Sequence, residues 1–487
     1  MGKGKKDNTA GLIRGISLPG ATALNMIDMI GVGPFITIPL MVSAMGGPQA
    51  MLGWILGAIL AMSDGLVWAE LGAAMPNAGG SYKYLKEIYG REKLGKPVSF
   101  LYIFQLSFSA PLSIASGCVG LAMYASYLFP GLSTVYTNHL FRTHLPLIGS
   151  LEASISVGNA TFVSIGICLV AVFLLYRNIS VINKISQYLW VGVILTILWV
   201  IVSGVTNFDS KLAFDFPPDA FKLTPNFYMG LGAAMLISIY DYWGYYNVCF
   251  IGGEIKNPGK NIPRAIIYSI LAVAVIYIIM NTSILGVLPW QAISDSAGSD
   301  ARKYIISIFM QKIYGNWAGN LVSVLIMWTA FASVFSLLLG YSRVPYAAAA
   351  EGDYFKPFAR IHPKNNFPNF SLVVMGIAAC LFCFLQLKDI IAALVVIRIT
   401  IQFLAQTIGV IIFRITRKDV ERPFKMWLFP LPAVLAFAGF VYVLVSRENF
   451  LKEFKYAVIL IILGLALYAW RSYRKKEWPF RKIVKAN

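Results

Sequence analysis

Runs of about 20 mostly apolar residues recur along almost the whole chain, each long enough as a helix to cross a hydrocarbon core of ~30 Å. Only 13% of the 487 residues are charged, where a soluble domain carries roughly a quarter. A water-soluble enzyme is thereby excluded, and the fold class is an all-α polytopic membrane protein. Twelve spans are expected, at 16–45, 50–74, 97–129, 158–176, 182–205, 227–252, 264–288, 316–349, 369–387, 390–413, 424–446 and 454–471.

The net charge of +19 would suggest nucleic acid in a soluble protein. Here it has a topological origin instead. With the N-terminus inside, most of the Lys and Arg fall in segments on that side, while Asp and Glu divide evenly, as the positive-inside rule expects. Both termini are then cytoplasmic, the partner is the lipid bilayer, and no nucleic acid is called for. The opening MGKGKKDNTA runs into a full-length span, so no removable signal peptide is expected. The five cysteines fall in or beside spans, where thiols act as small apolar groups. Neither a disulfide framework nor a metal is assigned, the Cys380-x-x-Cys383 pair included. The longest non-spanning stretches, 130–157, 206–226 and 289–315, map outside. In the last, Gly298 and Ser299 precede a segment from Asp300 to Lys312 that suits an interfacial helix.

Two spans are interrupted. The first contains Gly31-Val32-Gly33-Pro34 in mid-membrane, two helix-weakening glycines followed by a residue with no N–H. The sixth carries Asp241 and Gly244 at its middle among Tyr240, Tyr242, Trp243, Tyr245 and Tyr246. Spans 1 and 6 hold the same position in two successive sets of five. Interrupted helices at matching positions of two halves point to a secondary transporter with its substrate between the breaks.

Such breaks free backbone groups of both signs. The N–H groups of Val32 and Gly33, at the positive end of the half-helix near Pro34, suit a carboxylate, and Gly31 and Gly33 leave room for its approach. Carbonyls at Met29 and from Tyr240 to Trp243 suit an ammonium, so the pair of breaks matches a free α-amino acid. Four acids lie within spans, Asp28, Asp64, Glu70 and Asp241, and an intramembrane carboxylate is a functional candidate. Asp28 and Asp241 flank the breaks, where either could meet a basic side chain, serve a proton cycle, or pair with Arg398 of span 10. Asp64 lacks an obvious basic partner and is a candidate proton site. Glu70, near the cytoplasmic end of span 2, suits a structural bond to loop N–H groups. Gly53-x-x-x-Gly57 reads as close helix packing.

Four blocks resemble the amino acid, polyamine and organocation superfamily of transporters: GVGPF in span 1, AELGAAMPNAGGSYKYLKEIYG from Ala69 to Gly90, GEIKNPGKNIPRAI from Gly253 to Ile266, and SRVPYAAAAEG from Ser342 to Gly352. They occur in the superfamily's order. The resemblance implies a five-plus-five inverted repeat with discontinuous helices 1 and 6, two extra helices, and alternating access around one central site. Residues 1–15 would then be a cytoplasmic tail, 16–205 the first repeat, 206–226 an extracellular loop, 227–415 the second repeat, 416–473 helices 11 and 12, and 474–487 a basic cytoplasmic tail. By position, Val32 and Gly33 would meet a substrate carboxylate, and Met29 and Tyr240 an amine, with Gly31, Asp241, Trp243 and Gly244 completing the site. Val32 replaces the superfamily's Ser, which removes a hydroxyl but not the backbone donor. Val193 stands where several members carry a span 5 Lys, which leaves coupling to H⁺ or Na⁺ open.

The expected function is a plasma-membrane amino acid permease, with short termini and loops that suit a bacterial inner membrane. GPF and GGEIKNPGKNIP also resemble the polyamine-carrying branch, so a polyamine or cationic amino acid carrier is the alternative. No accessory subunit is read from the sequence. Enzyme readings fail on motifs: Tyr240-Asp241 matches half of an intramembrane aspartyl protease signature, but no G-x-G-D follows, and the three histidines all lie outside the spans. A channel would need a continuous polar pore, and spans 3 to 5 and 9 to 12 offer few polar positions.

Overall fold

The structure, a computed structural model, describes residues 12–145, 149–294, 303–385, 398–447 and 450–480. Each sequence span contains helix among its described residues. The first comprises α1 (Leu18–Met29), α2 (Gly33–Ile36) and α3 (Ile38–Met45), and bends by 59° at Thr37. There follow α4 (Met51–Ala74), a short α5 (Ser81–Ile88), α6 (Gly95–Leu128), α7 (Asn159–Leu175), α8 (Ile179–Thr206) and a single turn, α9 (Ser210–Ala213). The sixth span is α10 (Pro225–Tyr242), four non-helical residues, and α11 (Asn247–Phe250). Beyond it come α12 (Pro258–Leu285), α13 (Trp290–Ile293), α14 (Ile305–Tyr314), α15 (Asn316–Ala350), α16 (Asn369–Phe382), α17 (Leu404–Thr416, entered through a wider π-helical turn Ile399–Phe403), α18 (Leu431–Val445) and α19 (Phe450–Lys475). Among the described residues, seven helices and the bent pair are long and apolar enough to cross a membrane.

Local chemistry sets several starts. Asn178 caps α8 by accepting from the Val181 N–H at 3.0 Å, and Thr224 caps α10 through the Phe227 N–H at 3.3 Å. Pro225 and Pro258 stand at helix starts, where no N–H is missed. Span 11 begins at Leu431 rather than 424, because Pro423 and the turn from Trp427 to Pro430 precede regular helix.

α1 runs through the interior, packed by α8, α11, α12 and α15, while α4 lies against α10 and α12, and α6 against α15. Large apolar side chains such as Phe162, Phe173, Leu195, Leu198 and Val434 point outward, and polar residues such as Asn25, Asp64, Asp241 and Arg398 point inward. That inside-out distribution suits lipid. The glycines of span 2 do what their spacing predicts: a Cβ on Gly53 would lie 2.7 Å from that of Ala234, and one on Gly57 2.0 Å from Ser238 Oγ.

The fold adds an antiparallel hairpin, β1 (Val135–Leu145) with β2 (Gly149–Gly158), within the stretch read as an external loop. Ser156 N–H also donates to the Phe384 carbonyl at 2.8 Å, tying the hairpin to the chain just after α16. The segment expected from Asp300 to Lys312 is helical from Ile305; residues 295–302, which include Gly298, Ser299 and Asp300, the first third of span 10, the tail 1–11 and residues 481–487 lie outside the described residues.

Candidate functional site

The two breaks pack directly on each other. α1 ends at Met29, and no backbone carbonyl among the described residues accepts from the N–H groups of Gly31, Val32 or Gly33. In the sixth span, Gly244 adopts φ 128°, a conformation open to glycine but strained for other residues, and the helix resumes at Asn247. A Cβ on Gly244 would lie 2.8 Å from Asp28 Cβ, and one on Gly33 2.2 Å from Asp241 Oδ1. Each break's glycine thus makes room for the other break's acid.

Between them lies a cavity of about 50 Å³. Asp28, Met29, Gly31, Val32, Gly33, Tyr240, Asp241, Trp243 and Gly244 all line it, and Asp64 does not. Its other walls are Ser113, Ser116 and Gly117 of α6 and Ser333, Leu337 and Tyr341 of α15, none of them expected from the sequence, together with Tyr246 from the aromatic cluster of the second break and Arg398. Ser109, Ser113 and Ser116 recur at helical spacing, a polar stripe on span 3 that its apolar average hides.

Arg398 makes no ion pair with either cavity acid. Its Nη2 donates to the Ser109 carbonyl at 3.1 Å and to Ser113 Oγ at 2.6 Å, its Nη1 donates to the Tyr246 hydroxyl at 3.3 Å, and its Nε has no partner. The guanidinium lies 5.4 Å from the Trp243 ring and 5.1 Å from that of Tyr341. Asp241 Oδ2 accepts from Thr37 Oγ1 at 2.5 Å, while Asp241 Oδ1 and Asp28 Oδ1 have no hydrogen-bond partner. One cation and two carboxylates therefore share a cavity without neutralising one another by contact.

The carbonyls expected to be free are partly engaged. Tyr277 of α12 places its hydroxyl 2.7 Å from the Met29 carbonyl and 3.2 Å from that of Asp241, one proton spanning the two breaks. The Tyr240 carbonyl is 3.3 Å from the Trp243 N–H. A carbonyl has two lone pairs, so one acceptor direction remains at each. Asn25 grips the second break from α1, donating to the Tyr245 carbonyl at 2.7 Å and accepting from the Val248 N–H at 3.0 Å. An Asn one turn before Asp28 was the available signal. Tyr240 reaches Ser116 Oγ at 3.3 Å, and Trp243 stacks on Phe403 at 5.3 Å.

An amino acid permease family profile matches residues 16–467. The chain belongs to that family. The permease is similar to the serine/threonine exchanger SteT of Bacillus subtilis (strain 168), 27% identical over 94% of this chain and 95% of the exchanger. It is also similar to the branched-chain amino acid permease BcaP of Lactococcus lactis subsp. cremoris, 25% identical over 92% and 94% of the two chains. With the cationic amino acid transporter 4 of Mus musculus it shares 25% identity over 77% of this chain and 55% of that transporter.

Three of the permease's four sequence blocks meet at one end of the bundle. Glu254 accepts from Arg343 at 3.0 and 3.1 Å, both side chains fully buried. Lys86 of α5 donates to Glu351 at 2.6 Å and to Asp353 at 2.5 Å, beside an ion pair of Lys83 with Glu351. Glu70 forms a two-pronged pair with Arg414 at 2.7 and 2.5 Å and accepts the Met426 N–H at 2.8 Å. Its loop N–H bond is as expected, and the arginine is an addition.

Proposed function

We propose that this secondary amino acid transporter binds one α-amino acid in the cavity between its two breaks and carries it across the plasma membrane by alternating access. The observation that carries the reading is that the N–H groups of Gly31, Val32 and Gly33 have no backbone acceptor among the described residues, and that these residues line the same cavity as Asp28 and Asp241. Successive N–H groups in non-helical backbone make a concavity for an anion. The free acceptor directions at Met29 and Tyr240, with the carboxylates, serve the ammonium.

Arg398 in the cavity wall favours an amino acid over a polyamine. A fixed guanidinium repels a ligand that carries only cations, whereas a zwitterion offers it a carboxylate. Cationic amino acids remain the second reading, on the strength of Asp28 and Asp241. The chain is read as a carrier rather than an enzyme, with twelve spans in two inverted sets of five plus two, both termini cytoplasmic, and a bacterial inner membrane as its setting. It uses no cofactor beyond a coupling ion.

The test is uptake of labelled alanine into proteoliposomes, competed by neutral and basic amino acids, putrescine and spermidine. Competition by α-amino acids alone is the expected result. Competition by polyamines, or polyamine uptake without alanine uptake, would transfer the site to Asp28 and Asp241 and reverse the reading.

A further inference from the structure

Asp64 sits in α4, fully buried and away from the cavity. Its Oδ2 accepts from the Tyr245 hydroxyl at 2.6 Å, and its Oδ1 has no hydrogen-bond partner. Among the described residues no Lys or Arg forms an ion pair with it. Arg414, the cation on the neighbouring α17, is held by Glu70, six residues along α4 and so about 9 Å away along the helix axis.

The groups around it are few. Tyr245 and Cys249 are the titratable residues beside it from the sixth span. α10 contributes Tyr242, whose hydroxyl points to the Trp54 carbonyl, and Asp241, held by Thr37. α12 sets Ile266 and Ile270 against the adjacent Gly65, and its Tyr277 is spent on Met29. α18 carries no charged residue, and its Tyr442 donates to the Tyr228 carbonyl. Along α4, one turn on, the Trp68 indole N–H is a second donor acting on the Asp64 carboxyl, beyond hydrogen-bond distance.

What distinguishes Asp64 from a merely buried acid is the segment it holds. Tyr245 lies in the non-helical stretch of the sixth span, between Gly244 and a cavity wall residue, Tyr246. The two tyrosines tether that stretch on opposite sides, Tyr245 to the carboxyl of span 2 and Tyr246 to the guanidinium of Arg398. A movement of that stretch away from span 2 or away from Arg398 would loosen the corresponding tether.

We propose that Asp64 is the binding site of a co-transported proton, and that Tyr245 passes its charge state to the unwound stretch beside the substrate; this rests on the permease reading above. Ionised, the carboxylate takes a charge-assisted bond from Tyr245, stronger than a neutral one. Protonated, it loses the charge, the bond weakens and the stretch is freed to move. Burial without a cation makes proton uptake favourable, so protonation and movement are linked at one hydrogen bond.

The test uses the full chain in proteoliposomes with labelled alanine and an acid-outside pH gradient. Wild type is expected to accumulate alanine at least tenfold over the no-gradient control. Asp64→Asn should lose that accumulation while keeping alanine–alanine exchange within threefold, and Tyr245→Phe should flatten the dependence on the gradient. Gradient-driven accumulation by Asp64→Asn equal to wild type would overturn the proposal, as would a wild type indifferent to the gradient. Infrared titration of the carboxyl C=O band supplies a readout independent of transport. A band that titrates in wild type and is missing in Asp64→Asn supports the site, and an unchanged band rejects it. If no amino acid of the panel moves, the permease substrate reading fails, and the infrared result alone decides Asp64.

Discussion

Oδ1 of Asp241 occupies the space that a side chain on Gly33 would need, 2.2 Å from where its Cβ would stand. The relation is repeated with the partners exchanged, since Gly244 leaves room for Asp28. Two helices broken 211 residues apart in sequence thereby form a single joint, and substitutions at it should affect ligand binding before they affect folding.

Gly33→Ala forces either Asp241 or the break to shift, an overpacking cost of roughly 1–3 kcal/mol. Alanine binding should weaken about 5- to 150-fold, measured by equilibrium binding on protein that remains monodisperse. Gly131→Ala, with open space at the Cβ position, is the control. Unchanged affinity in Gly33→Ala would mean that the substrate lies elsewhere.

Thr37 supplies the hydrogen bond to the Asp241 carboxyl. Thr37→Val should raise the KM for a zwitterionic substrate, with loss of a buried partner worth about 1–3 kcal/mol. Asp241→Asn should impair a cationic substrate more than a zwitterionic one. Equal impairment would assign Asp241 a structural or proton role.

The Glu254–Arg343 pair is fully enclosed. Removing one partner strands a buried charge, so Glu254→Gln or Arg343→Met alone should lower stability by about 3–5 kcal/mol. The double variant should recover much of that in a thermal-shift assay. Additive losses would show that the two residues do not act as a pair.

At the same end of the bundle, burial works to lower the Lys86 ammonium, but Asp353 and Glu351 together hold it above its ordinary value. Burial works to raise Glu351, but Lys83 and Lys86 hold it below the usual carboxylate range. The Glu351 contribution is present above its ordinary range and disappears as pH falls through the lowered value. That of Lys86 is present below its ordinary range and disappears as pH rises through the raised one. Thermal stability should therefore be flat across neutral pH and fall on acidification, and Glu351→Gln should be less stable at neutrality with a shallower acid limb. An acid limb as steep as that of wild type would exclude the network.

Much of the fold was legible because lipid imposes a coarse rule on long apolar runs. Each span carries helix, and the two breaks fall where Gly31, Gly33, Pro34 and Gly244 stand. The hairpin from Val135 to Gly158 was not legible, because short strands in an external stretch leave no signal comparable to an apolar run. Regular helix in span 11 starts later than the apolar pattern implies, because that pattern continues through Phe424 to Phe429, where the backbone turns.

The sequence by itself determined the membrane class, the positions of the breaks and the acids beside them, since hydropathy, glycine and proline act locally. Tertiary structure alone decided what those acids meet. Whether Arg398 would pair with Asp28, with Asp241 or with neither depends on how spans 3, 6 and 10 approach one another; it is Ser109, Ser113 and Tyr246 that hold it. Likewise the Met29 carbonyl is shared with Tyr277, 248 residues away, a contact that no local pattern encodes because it exists only once α12 is packed across both breaks.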